Sequence, residues 1–306
     1  MQKLAQACGV QDVEVMFDNE CTKENVKTRI EQMGQRCDDD DFFIFYYSGH
    51  GTSMEDLVGD EEDGMDEALC FVGPQGQLGG RYFMRDDEFA EIVTDAIPEE
   101  TRILILTDCC HSGTIGDLDK DIWEGREVIS VTGCADSQTS GDMGKGGIFT
   151  HSMLLAIDHL QRSGEEDYSV GLLYNATVFQ DDKVFNSAQD ITIECPPAFA
   201  PHQLAWPLVP LGDYSAPLSQ ALHTAGMPQG DDDDDEEEEG YGGFNPQVLA
   251  QMLASNPALC QQLGISPQMA HNIVGIAGIA AGPGAEFVGA IQGGLFGGRC
   301  TQCVLQ

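Results

Sequence analysis

Two uncharged, strongly apolar runs constrain this chain most: Phe42 to Tyr47 (FFIFYY) and Ile103 to Leu106 (ILIL). Neither alternates polar with apolar residues, so each reads as a strand covered on both faces, as in a mostly parallel sheet flanked by helices. The first runs into Tyr47-Ser48-Gly49-His50-Gly51 and the second into Asp108-Cys109-Cys110-His111-Ser112-Gly113. Sites in open α/β sheets lie at the C-terminal strand edge. A histidine and a cysteine placed there make a candidate base and nucleophile. Taken singly, each residue has a structural alternative, a core thiol or a structural imidazole. Their joint position on two strand ends favours chemistry.

The rest of the pattern fits that sheet. A short helix at the start closes at Gly9, and Val13 to Phe17 reads as a strand. Thr22 caps a helix with Val26, Ile30 and Met33 on one face. Residues 52–85 form a long acidic, Gly-rich loop with room for a hairpin. A helix opens at Asp86-Asp87-Glu88 and stops before Pro98. Val128 to Thr132 is a further strand, and helices are expected over 149–160 and 168–179. Strands alternating with helices define an α/β class.

The 306 residues carry 52 acidic against 14 basic side chains, a net charge of -38. Such a surface repels nucleic acid and anionic lipid and attracts metal ions or basic peptides. Nine of the acids form one run, Asp231 to Glu239, which reads as a solvated spacer. Eleven cysteines show no paired framework and no basic-then-apolar leader opens the sequence, so a reducing, cytoplasmic setting is expected. The stretch Ile273 to Ala281 is too short to span a bilayer. The division expected is a large α/β domain over 1–210, an acidic flexible linker over 211–243, and a small helical, Gly/Ala-rich tail over 244–306. The tail holds two short helices within 245–263.

SGHGT, GDEEDGMDEAL, the Asp86-Asp87-Glu88 triplet, LTDCCHSGT, VTGCADSQTSGD and GGIFTHSML occur in order along residues 48–154. In these motifs the chain resembles the metacaspases, cysteine peptidases of caspase-like fold, with the short spacing of the type I group. The resemblance covers roughly residues 1–210. It implies His50 as general base and Cys110 as nucleophile, with Cys109 where a small residue is common. The backbone N–H groups of Gly51 and Cys110 are the candidate oxyanion donors. It implies a pocket for an arginine or lysine side chain from Ser48 and Asp108, with Asp142 a second candidate. A helix or turn cap is the structural alternative for Asp108. It further implies calcium, held by Asp66, Asp86, Asp87 and Asp117. Capping is the alternative for Asp86 and Asp87. The spacing from Asp66 to Asp86 is longer than the family's, through Gly73 to Gly80, and a proline-x-aspartate after DEAL is replaced by CFVG.

One family element has no counterpart. The apolar strand that opens the family's domain, ending in a glycine-asparagine turn, is not matched. The expectation is therefore an N-terminally truncated domain, an incomplete gene product with a degraded paralogue as the alternative, in which Val13 to Phe17 lacks its neighbour and two sheet edges stay unpaired. The implied function is a calcium-dependent endopeptidase cutting after Arg or Lys. The alternative is a catalytically impaired, caspase-like regulatory or membrane-tethered binding protein. A monomer is expected, with Lys120, Arg126 and Lys145 as candidate self-cleavage sites.

The last four residues, Cys303-Val304-Leu305-Gln306, fit a farnesylation signal, with Cys300 a second, palmitoylated candidate. Coincidence is the alternative. A single lipid chain would give weak membrane association.

Overall fold

The computed structural model describes residues 1–57, 59, 64–135, 147–185, 187–224 and 302–305. Its centre is a six-stranded sheet. In chain order the strands are β1 (Glu14–Phe17), β2 (Phe42–Ser48), β6 (Arg102–Asp108), β7 (Val128–Thr132), β8 (Thr192–Glu194) and β9 (Gln302–Leu305). Between β2 and β6 lies a small antiparallel sheet of β3 (Gly51–Glu55), β4 (Met65–Leu69) and β5 (Met84–Arg85). The helices are α1 (Gln2–Ala7), α2 (Lys23–Gly34), α3 (Asp86–Ala96), α4 (Ile148–Arg162), α5 (Val170–Gln180) and α6 (Pro217–Thr224).

The main sheet runs β1-β9-β2-β6-β7-β8. β2, β6 and β7 pair in parallel, and β8 closes the far side antiparallel. The unbroken apolar runs are explained by two cores. Ile44, Tyr46, Leu104 and Leu106 face one core, built with α4 and α5. Phe43, Phe45, Tyr47, Ile103 and Ile105 face the other, built with α2 and α3. Successive residues of a strand point to opposite faces, so both faces must be apolar and no alternation survives.

Local signals end the elements as expected. The Thr22 hydroxyl accepts from the Asn25 N–H at 3.2 Å and starts α2, and Ser169 does the same for α5 through the Leu172 N–H at 3.2 Å. Gly9, at φ +75°, ends the turn after α1. The hairpin of the acidic loop forms as β3 and β4, and β5 adds a third strand before α3.

Three features depart from the sequence reading. β8 is a three-residue edge strand too short to register. α6 lies inside the segment read as linker, and Ala216 and Leu218 are buried in the α4 core. Ser219 ties α6 to α4 by donating to Asp158. The folded unit thus runs past residue 210 to 224.

The third departure concerns the open place between β1 and β2, which is filled. β9 lies there, antiparallel to both neighbours. Val304 stands opposite Val15 and Tyr46, and Cys303 opposite Met16 and Tyr47. Two facing edges with free N–H and C=O groups are a template for any extended segment. Residues 302–305 are therefore a sheet strand, whereas the expected tail helices, the acidic run and Cys300 lie outside the described residues. Among the described residues no helix is long and apolar enough to cross a membrane.

Candidate active site

β2 and β6 are neighbours in parallel register, with Ser48 opposite Asp108. The segments that follow therefore leave the same edge side by side. The Gly49 N–H donates to the Asp108 carbonyl at 3.3 Å. Gly51 then packs directly on the cysteine segment. A Cβ placed on it would lie 1.9 Å from the Cys110 carbonyl oxygen and 3.2 Å from Cys109 Sγ. Only glycine permits that approach.

His50 is exposed, but its backbone is fixed. Its carbonyl accepts from the Tyr47 hydroxyl at 2.8 Å and from the Cys70 N–H at 2.9 Å. The second bond makes His50 and Cys70 a hydrogen-bonded pair of the β3–β4 ladder. Gly51 and Leu69 are then a non-bonded pair, so the Gly51 N–H points away from the ladder.

The two adjacent cysteines have opposite environments. Cys109 is 1% exposed, and burial pushes its thiol well above the ordinary range. Its carbonyl accepts from Ser112 Oγ at 2.9 Å and Cys134 Sγ at 3.0 Å. Burial also pushes the Cys134 thiol up to about 11. Cys110 is half-buried, and His111 after it adopts φ +48°. The positive φ turns the chain sharply at the strand end.

Asp108 is 3% exposed. Its Oδ2 accepts from the Thr150 N–H at 2.9 Å and from the Thr150 hydroxyl. The carboxylate thus sits under the first turn of α4, where unpaired N–H groups and the helix dipole favour negative charge. A Cβ on Gly147 would lie 2.0 Å from Asp108 Oδ1. The capping role anticipated as an alternative is realised here, across the sheet rather than along one helix. Ser48 is half-buried at the adjoining strand end. Asp142 lies outside the described residues.

Below this edge is an acidic cluster. Ligand oxygens of Asp66, Asp86 and Asp87 lie within 4.8 Å of one another. Asp117 joins them through Lys120, whose Nζ reaches Asp87 at 2.9 Å and Asp117 at 3.1 Å. Arg85 pairs with Asp66. Burial, then the Asp117 charge, pushes the Asp86 carboxyl up to about 8. The Asp66 carboxyl is also raised by burial, against the pull of Arg85. Among the described residues Asp66 Oδ1 is buried with no hydrogen-bond partner. Clustered carboxylates with an orphaned buried oxygen are a donor set that suits a hard divalent cation. The long spacing between Asp66 and Asp86 does not separate them. The additional residues turn back on themselves, with the Gly73 N–H on the Gln77 carbonyl at 2.8 Å.

Sequence reasoning missed three participants: Arg85, Glu67 and Lys120 in its structural role. Glu67 is buried, accepts from the Thr114 hydroxyl at 2.8 Å, and donates its N–H to Asp86 Oδ2 at 2.6 Å. It links the acidic cluster to the loop that carries Cys110. Lys120, a candidate cleavage site, is engaged with the cluster. Of the candidate lipid sites, Cys303 has its backbone in β9.

A sheet with a parallel centre, histidine- and cysteine-bearing turns on adjacent strand ends, and helices on both faces, defines a caspase-like domain. The family described as "Metacaspase, peptidase C14 domain" matches residues 3–119, a span that holds His50, Cys110 and all four clustered aspartates. Over these residues the chain is similar to the metacaspase peptidase domain. Metacaspase-1 of Arabidopsis thaliana is 33% identical over 143 residues, covering 40% of this chain and 38% of that protein. Metacaspase-2 of the same plant is 32% identical over 180 residues, covering 51% and 42%. The chain thus spans about two fifths of the length of these relatives. A solved structure, protein GSU0716 from Geobacter sulfurreducens, aligns with a TM-score of 0.43 at 22% identity, over 64% of this chain and 81% of that one.

Proposed function

We propose that this protein is a calcium-dependent cysteine endopeptidase that cleaves after arginine or lysine, with Cys110 as nucleophile and His50 as base. The observation that carries the reading is the packing of Gly51 on the Cys110 backbone, which brings the two turns into contact. Cys109 supports the assignment by contrast, since a buried thiol with a raised pKa is a poor nucleophile.

In this mechanism His50 takes the proton from Cys110 Sγ, and the thiolate attacks the scissile carbonyl carbon. The carbonyl oxygen gains charge and is met by the N–H groups of Gly51 and Cys110. A donor of this kind is worth about 10²–10³ in rate. The C–N bond breaks as His50 returns its proton to the leaving amine. His50 then takes a proton from water, which attacks the thioester and releases the acid and Cys110.

Asp108 and Ser48, side by side on the strand ends, offer the carboxylate and hydroxyl that a cationic side chain would recognise. The strongly acidic chain favours basic peptides as substrates. Asp66, Asp86, Asp87 and Asp117 would hold calcium, which would supply positive charge where burial raises the Asp66 and Asp86 carboxyls. The Glu67–Thr114 bond ties that cluster to the nucleophile loop within this chain.

Hydrolysis of an arginine-ended reporter peptide tests the reading, with and without calcium, in the wild type and in Cys110→Ala. Calcium-stimulated cleavage that disappears in Cys110→Ala is expected. Activity that survives the substitution overturns the nucleophile. Cleavage indifferent to chelation overturns the calcium role.

A further inference from the structure

Among the described residues β1 pairs with β9 and not with β2, so the sheet is continuous there on that side only through residues 302–305. The place they occupy has a definite chemistry. Val15 and Tyr46 belong to one core, and Met16, Phe45 and Tyr47 to the other. An occupant must therefore be extended, uncharged and apolar at successive positions, with every N–H available to one of two ladders. Cys303-Val304-Leu305 meets these requirements, and it is the segment seated there.

We propose that the place between β1 and β2 is a strand-acceptor site, and that this chain's own residues 302–305 occupy it as a non-covalent, exchangeable strand. The strand begins at the functional edge: Gln302 stands opposite Ser48, which stands opposite Asp108. Occupancy decides whether the end of β2, two residues before His50, is laddered on both sides or on one. It also decides whether β1 has any partner in the sheet. Because the occupant is covalently joined, a competing peptide must match an effective concentration on the order of millimolar.

Two measurements on the full chain test this. Cys303 stands opposite Met16 and one position off Val15, and successive residues face opposite sides. Under mild oxidation Met16→Cys should form an intramolecular disulfide with Cys303, mapped by mass spectrometry, at about tenfold the yield of Val15→Cys. A proline cannot sit in a strand laddered on both sides. Val304→Pro should therefore lower amide-exchange protection at Val15, Met16, Tyr46 and Tyr47 at least tenfold. A hexapeptide with the sequence of residues 301–306 should restore it, and the same peptide carrying the proline should not. Unchanged protection in Val304→Pro, equal crosslinking at both positions, links only between two chains, or no rescue by the peptide would each overturn the proposal.

Discussion

At Gly51 the chain tolerates no side chain, because the space belongs to the Cys110 carbonyl. Gly51→Ala must push the two turns apart. Peptidase activity is expected to fall by at least 100-fold, with stability lower by about 1–3 kcal/mol from the forced overlap. Parallel measurements of kcat and Tm check both. Cys109 and Cys110 invite the opposite comparison. Cys109→Ala removes a buried sulfur and should cost about 1–2 kcal/mol of stability while leaving an active, titratable thiol. Iodoacetamide labelling at Cys110 at neutral pH, mapped by mass spectrometry, should then be unchanged, and in Cys110→Ala the label should not move to buried Cys109. Sequence alone did not separate these neighbours. The choice of Cys110 rested on position within a family motif, and burial is what distinguishes them physically. His50 and Cys110 were legible because two apolar runs made their strand ends visible. Glu67 was not, since an acid among so many acids has no sequence mark of its own. Its role comes from a bond to Thr114 across 47 positions.

Among the elements, the long strands and the helices α2, α3, α4 and α5 could be read directly from apolar runs, period and caps. β8, α6 and β9 could not. They have three, eight and four residues, too few for a periodic signal, and each is stabilised by partners distant in sequence. The turn after α5 supplies a test of how that packing responds to pH. The Asp181 carboxyl is buried and accepts from Ser187 Oγ at 2.6 Å and Ser152 Oγ at 3.3 Å. Burial nonetheless raises its pKa above the ordinary 3.8. The fold therefore holds this proton more tightly than the unfolded chain does. The favourable contribution is complete below the unfolded value and is lost as pH rises through the folded one. Asp181→Asn mimics the protonated form. Its Tm relative to wild type should climb as pH is raised from 4 to 7. A difference that stays flat over that range would assign the shift to other groups.

For the whole molecule, a net charge of -38 sets up a long-range field that draws cationic peptides inward. If arginine or lysine peptides are the substrates, raising salt from about 50 to 300 mM should lower kcat/KM several-fold while kcat holds, because screening weakens encounter rather than chemistry. An uncharged reporter should show no such slope. The α/β class and the two-sided core were both legible at this scale. The continuity of the sheet was not, because the residues that bridge it lie near opposite ends of the sequence, and no local pattern announces a pairing of that kind.

That bridging has a temporal side. β1 is made long before β9, and the two join as a contact of very high sequence separation. Such closures are slow because the loop entropy is lost before the ladder forms. During synthesis, β2, β6 and β7 can assemble on the ribosome while β1 waits alongside. The functional edge can thus take shape on a nascent chain whose sheet still has a vacancy, and the last seam closes only after residue 305 has left the exit tunnel.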